Sequence, residues 1–453
     1  MSTPGFAMTL HQAARAIGAR ASGEDVAING VSTDTRTLRP GQLFVALHGP
    51  HFDGHDYIAQ AIEKGAVACL VDRQVDVMVP LMMVEDTRLA LGKLAKVWRQ
   101  KLAVPLVAVT GSNGKTTVKE MLAAIFACET PVLATRGNLN NDIGLPLTLL
   151  QLHAGHQRAV VEMGANHPGE IAYLTEIAVP DVGVITNAGA AHLEGFGSLE
   201  GVARAKGELF AGLPADGVAV INADDPFASL WREIAAARRV VTFGLKEGAD
   251  VSADWQAGEN GSQMKVRTPQ GEFDIQLPLL GEHNVLNALA AIAAAQAAGA
   301  TCQAIRDGLN TMQAVPGRLQ LKRGLRGSRI IDDTYNANPT SLTAALKVLR
   351  DFPGEHLLAL GDMGELGAEA EALHTAAGRQ AREGGVDRLY TIGRMAAAAA
   401  RAFGEAAMPF DVQDAAIDAI QKDLNNDTTL LVKGSRLSHM ERVVNALVNG
   451  QEV

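Results

Sequence analysis

The sequence predicts an α/β protein of three consecutive domains, over residues 1–103, 104–315 and 316–453. Three observations predict it. At 453 residues the chain is too long for one hydrophobic core and suits about three units of ~150 residues. Short β-branched runs alternate with segments of helical period along most of the chain, the pattern of parallel sheets faced by helices. Residues 106–109 read as a buried strand that breaks at Gly111 into a two-glycine loop. Val118, Met121, Leu122, Ile125 and Phe126 then mark one apolar face of a helix.

Composition narrows the classes. Hydrophobic content of 47% with 20% charged residues is that of a soluble globular protein, and 4% aromatics implies aliphatic packing. A net charge of −10 argues against a general nucleic-acid or anionic-membrane surface. Cys69, Cys128 and Cys302 are far apart and show no metal spacing, so they read as thiols of a reducing compartment. No apolar run reaches the ~18 residues of a membrane span, and the first residues lack a secretory pattern. The expectation is a cytoplasmic monomer.

In the first domain, residues 9–17 read as a helix, and Pro40-Gly41 as a turn feeding a strand over 43–47. Residues 49–57 read as a polar loop. His48, His51 and His55 match no zinc spacing and are taken as solvated loop residues. A helix follows to Lys64, then strands at 67–71 and 81–84 and a helix over 87–102. Ser32, Thr33, Asp34 and Arg36 put hydroxyls beside a guanidinium, which suits a diphosphate or uracil edge.

The central domain holds the loop Thr110-Gly111-Ser112-Asn113-Gly114-Lys115-Thr116-Thr117. Strand, glycine loop, Lys-Thr and helix form a P-loop-like triphosphate cradle: loop N–H groups and the helix N-terminus face phosphate oxygens, the lysine meets the outer phosphates, and a threonine hydroxyl suits Mg²⁺. The strict pattern wants glycine where Val109 stands. Strands at 131–135, 158–161 and 182–186 end in Asn138, Asn140 and Asn141, in Glu162, and in a loop bearing His192. Ligands of an open parallel sheet bind beyond the carboxyl ends of its strands, so Glu162 and His192 belong beside the glycine loop. Glu162 and Thr116 are natural Mg²⁺ ligands. Lys206 lies in a helix over 203–210 and reads, taken alone, as part of a solvated face. Residues 250–280 alternate around glycine turns as an antiparallel hairpin, and residues 281–284 open an alanine-rich helix.

The last domain repeats strand then helix from 329 to 432, a small Rossmann-like sheet. It lacks the dinucleotide fingerprint after its first strand. Its strand ends bear Asp333, Asn336 and Asn338, then residues 361–365, then Lys433, Ser435 and Arg436. Three polar clusters on one edge make a ligand face.

The compact loop over 110–117 resembles that of the Mur ligases and folylpolyglutamate synthetases. Segments 137–144, 162–164, 186–197, 205–208, 282–287 and 317–318 extend the likeness to Mur ligases over nearly the whole chain. Within that family, residues 333–339 and 360–367 resemble the branch that adds D-alanyl-D-alanine, and the Asp-Asn-Pro-Arg of the meso-diaminopimelate-adding branch is missing. The resemblance implies a UDP-binding first domain, an ATP-binding second and a third that delivers the amine. It implies ATP and Mg²⁺, with UDP-N-acetylmuramoyl-tripeptide and D-alanyl-D-alanine as substrates joined through an acyl phosphate. Lys115 and the loop from Gly111 to Thr117 would hold phosphates; Thr116, Glu162 and His192 would serve Mg²⁺. Lys206 matches a lysine carbamylated in several relatives, and Asn284, Arg318 and Asp333 match ATP-binding positions. Ser32 to Arg36 would meet UDP, while Asn336, Asn338 and Lys433 to Arg436 would face the dipeptide. Another ligase of the superfamily, or a P-loop ATPase working on a protein partner, are the alternatives.

Overall fold

The computed structural model describes residues 5–190, 193–258 and 260–448. Its central sheet has six parallel strands in the order Val132–Ala134, Arg158–Glu162, Leu106–Thr110, Val182–Ile185, Val218–Asn222, Arg239–Phe243. Alternate residues of the Leu106–Thr110 strand serve opposite faces. Val107 and Val109 pack with Val118, Met121 and Leu122 of the helix Lys115–Ala127 and with Val285 and Leu289 of Glu282–Ala297. Leu106 and Ala108 pack the other way, onto Leu145, Ile171 and Leu174.

The N-terminal sheet orders Arg20–Ser22, Leu81–Met83, Ala68–Val71, Leu43–Val45 and Val31–Ser32, parallel except for its first strand. It shares a core with the central sheet. Phe6 and Trp98 meet edge to face at 5.2 Å. The Trp98 indole donates to Leu152 O at 2.9 Å, and both rings join the cluster of Leu149 and Leu150.

The C-terminal sheet orders Gln320–Arg323, Arg329–Asp333, Thr428–Lys433, Glu355–Gly361, Arg388–Ile392 and Ala407–Phe410. Only its first strand runs antiparallel to its neighbour. It keeps separate cores on its two faces, one of which takes Leu280 from the central region.

Three local readings need correction. Residues 250–280 form three antiparallel strands, Ser252–Gly258, Gly261–Thr268 and Gly271–Leu277, because both turn signals close a strand pair. The expected loop at 49–57 contains a two-residue ladder, His48–Gly49 against Phe52–Asp53, and a 3-10 turn, Gly54–Tyr57. The last sheet gains edge strands at Gln320–Arg323 and Ala407–Phe410, both too short to show a period.

Candidate active site

Parallel register puts the polar ends of three central strands side by side. Val109 is level with Glu162, and Thr110 with Ile185. The glycine loop therefore leaves the sheet between Glu162 and Thr186. Gly111 and Gly114 have φ of 144° and 83°, in the left-handed region. A Cβ on Gly111 would lie 2.0 Å from Thr186 Oγ1, and one on Gly114 2.3 Å from Asn287 Oδ1, so neither position has room for a side chain. The loop is braced from the next strand: Thr186 Oγ1 donates to Asn113 O at 2.6 Å, and the Asn113 amide donates to Asn187 Oδ1 at 3.0 Å.

Lys115 Nζ folds back on the loop, donating to Gly111 O at 2.7 Å. Burial, with Arg318 adding to it, lowers its pKa against the pull of Glu162. Thr116 Oγ1 donates to Glu162 Oε2 at 2.8 Å, and Asn140 Nδ2 holds Oε1 of the same carboxylate at 2.8 Å. Arg318, from the start of the C-terminal unit, donates to Thr116 Oγ1 at 2.9 Å and stacks 4.2 Å from the Tyr335 ring centre. A guanidinium thus rests against the hydroxyl–carboxylate pair. This all-oxygen donor set with a cation drawn to it fits Mg²⁺.

Across the gap, Asp333 and Lys433 are level on adjacent strands and form a buried ion pair, and Lys433 Nζ also donates to Asn336 O at 3.0 Å. Asn338 caps the helix Pro339–Arg350 and donates from Nδ2 to Asn113 Oδ1 at 2.9 Å. His283 is desolvated at the opening of its helix, and its pKa is pushed down to about 4, so it is neutral at physiological pH. Between the two sheets lies a cavity of about 1000 Å³, at the upper end of small-molecule sites. Two buried donors on it, Asn113 Nδ2 and Arg318 Nε, have no hydrogen-bond partner among the described residues. Such donors suit an anionic ligand.

The cavity gathers Ser112, Asn113, Gly114, Lys115, Thr116, Thr117, Asn138, Asn140, Asn141, Glu162, Asn284, Arg318, Asp333, Asn336, Asn338 and Lys433. Gly111 shapes the loop from behind. His192 lies outside the described residues. Ser32, Thr33, Asp34 and Arg36 do not line the cavity; Arg36 pairs with Asp34 at 2.7 Å. Ser435 is buried behind the edge and Arg436 points to Glu441 at 3.6 Å.

Lys206 corrects the reading from spacing alone. Instead of a solvated face, it is 2% exposed, with Nζ 5.3 Å from the Phe196 ring centre. Desolvation, and then repulsion from Lys115, push its pKa down to about 7. Sequence reasoning missed Arg88, Asp142 and Tyr173, which line the far end of the cavity. Arg88 Nη2 donates to Asp142 Oδ1 at 2.7 Å across 54 residues of chain, and no local pattern announces that pairing.

Comparison with known proteins matches this architecture. The family model for the Mur ligase middle domain covers residues 109–295, that for the glutamate ligase domain of Mur ligases residues 317–436, and that for the catalytic domain of the family residues 27–99. The chain belongs to the Mur ligase family. It is 45% identical, over 98% of both chains, to the UDP-N-acetylmuramoyl-tripeptide–D-alanyl-D-alanine ligase of Escherichia coli. Among solved structures it resembles MurF from Acinetobacter baumannii, with TM-score 0.93 and 38% identity over 98% of this chain and 99% of that one. It also resembles the MurF ligase of Thermotoga maritima in complex with ADP, with TM-score 0.84 and 31% identity over 92% and 96%.

Proposed function

We propose that this Mur ligase joins D-alanyl-D-alanine to UDP-N-acetylmuramoyl-tripeptide with conversion of ATP to ADP and phosphate, a step of peptidoglycan synthesis. The observation that carries the reading is one cavity bounded by the glycine loop, by Thr116 with Glu162, and by the residue 333–338 loop of the other sheet. The name of the Escherichia coli relative supplies the substrates. The ADP complex of the Thermotoga maritima relative supports ATP as phosphoryl donor.

A carboxylate is a poor acyl donor and must first take a phosphoryl group. The tripeptide carboxylate oxygen attacks the γ-phosphorus and ADP departs; the dipeptide amine then attacks the acyl carbon, phosphate leaves, and the amine loses a proton. Loop amides and Lys115 hold the phosphate oxygens, and Arg318 brings a second cation from the opposite sheet, so charge is met by fixed donors. Thr116 and Glu162 would hold Mg²⁺, and His192 and a carbamylated Lys206 would be further ligands. When bound, the metal neutralises charge on the transferring phosphoryl group. A lysine with pKa about 7 is largely a free amine at physiological pH, the form that captures CO₂. Asn284 faces the adenine side, Asn336 and Asn338 the dipeptide side. Ser32 to Arg36 hold the UDP end. The acyl phosphate must be kept from water, which favours closure of the third domain over the second.

The test is phosphate release from Mg-ATP with UDP-N-acetylmuramoyl-tripeptide, with and without D-alanyl-D-alanine, and the product weighed by mass spectrometry. Turnover that requires both and yields the UDP-pentapeptide supports the reading. Phosphate release indifferent to both rejects it.

A further inference from the structure

Outside the cavity lining, the N-terminal sheet brings two histidines and a carboxylate together at the carboxyl ends of adjacent parallel strands. His48 follows the strand Leu43–Val45 and Asp72 follows Ala68–Val71, while His55 comes from the 3-10 turn Gly54–Tyr57. One ligand atom from each of His48, His55 and Asp72 lies within 4.8 Å of the other two. His48 Nε2 is 2.6 Å from Asp72 Oδ2, and His55 Nε2 is 3.2 Å from Asp72 Oδ1.

A carboxylate braced behind one of the histidines makes the cluster more than a polar loop. Asp53 Oδ1 sits 2.7 Å from His55 Nδ1 and also accepts the His55 amide at 2.9 Å, while Arg73 donates to Asp53 Oδ2 at 2.6 Å. Asp53 is therefore held in place and fixes the orientation of the His55 ring. Nε2 of that ring faces Asp72 Oδ1 at 3.2 Å and meets the Asp72 amide only at a long 3.4 Å. A carboxylate on one imidazole nitrogen, with the other nitrogen turned toward a second carboxylate, is the support that metal-bound histidines use. His55 is 3% exposed and preset, whereas His48 is 47% exposed and can retreat. Ligands at ~2.05 Å from a tetrahedral ion stand roughly 3.3 Å apart, which matches the 3.2 Å between His55 and Asp72 and exceeds the 2.6 Å between His48 and Asp72, so the exposed His48 is the ligand with room to adjust.

We propose that His48, His55 and Asp72 bind one divalent ion of the zinc class, with Asp53 orienting His55 and water completing the coordination. Two imidazole nitrogens and one carboxylate oxygen select Zn²⁺, Co²⁺ or Ni²⁺ over Mg²⁺, whose preferred ligands are all oxygen. The ion clips the residue 48–53 hairpin to the end of the Ala68–Val71 strand. It also brings positive charge to the sheet edge where Ser32 ends the neighbouring strand. Arg73 Nη1, 3.8 Å from Asp72 Oδ1, is the competing cation, and its other contact with Asp53 draws it outward.

Co²⁺ titration of the full, untagged chain at neutral pH in excess Mg²⁺ tests this, because Mg²⁺ fills the oxygen sites. The expected result is one saturable equivalent with a d–d absorption band, no thiolate charge-transfer band, and a higher melting temperature. His48→Gln and Asp72→Asn each weaken Co²⁺ binding at least tenfold while melting without metal stays at the parent temperature. No saturable absorption, or absorption equally strong in both variants, overturns the site. A metal-free melting temperature that falls in both variants, with Co²⁺ binding lost, also overturns it, because the cluster is then a structural ion network.

Discussion

The central sheet meets its two neighbours in opposite ways. On the N-terminal side, Phe6, Leu10, Leu91, Leu94 and Trp98 share one dry core with Leu106, Leu145, Leu149 and Leu174. On the C-terminal side the named contacts at the cavity are polar, Arg318 to Thr116 and Asn338 to Asn113, and each flank keeps its own core apart from Leu280. Burying an apolar side chain is worth ~1.5–3 kcal/mol, whereas a net hydrogen bond is worth ~1 kcal/mol and water replaces it on opening. The first junction joins two sheets through one core. The second is held by contacts that water can replace, and the cavity lies there.

The sharpest break of that contrast is Lys115→Ala, expected to cut the ligase rate by roughly 10²–10³ through loss of a preorganised phosphate donor, with the melting temperature nearly unchanged. A large loss of stability would show that the cavity side is also a structural seam. Next, Trp98→Ala on the dry side should cost ~3–5 kcal/mol of stability in urea unfolding, with KM for ATP in the folded protein hardly changed. An altered KM with intact stability would reverse the contrast.

Lys206 tests whether the site side pays in stability for function. Its folded pKa of about 7 lies below the ordinary ~10.4 of lysine. Between those values the unfolded chain binds the extra proton, so stability rises with pH across that window and the penalty is complete below it. In bicarbonate-free buffer, Lys206→Met should therefore melt higher than the parent at pH near neutrality, the gap closing as pH rises, while ligase activity falls roughly 10²-fold. A gap that widens with pH would contradict the assignment. The smallest effect is expected at Asn338→Ala, about fivefold on KM for ATP or dipeptide, from the ~1 kcal/mol of one hydrogen bond. Unchanged KM together with unchanged small-angle scattering would remove Asn338 from the closing contact.

Local chemistry was legible where neighbours in the chain supply it. The loop from Gly111 to Thr117 announces itself because strand, turn and helix are contiguous, and Glu162 followed from its place at a strand end. Spacing alone puts Lys206 on a solvated face, because Ala205, Gly207 and Glu208 around it look equally suited to solvent, and only tertiary packing, with Phe196 beside it, decides its burial. Arg88 with Asp142, and His48 with Asp72, join residues 54 and 24 positions apart. Such pairs depend on which strands become neighbours, and no window along the chain contains that order.

By itself, then, the sequence determined the α/β class, the glycine loop between strand and helix, the carboxylate beside it and the family, since each rests on periodicity or a contiguous motif. Tertiary structure alone decided the order of strands, and with it that Arg318 reaches Thr116 across 202 residues, that Asn338 meets Asn113, and that Lys206 is buried. The physical reason is that hydrogen-bonded register and shared apolar burial are long-range. They place strand ends together whatever their separation in the chain, and the chemistry belongs to those ends.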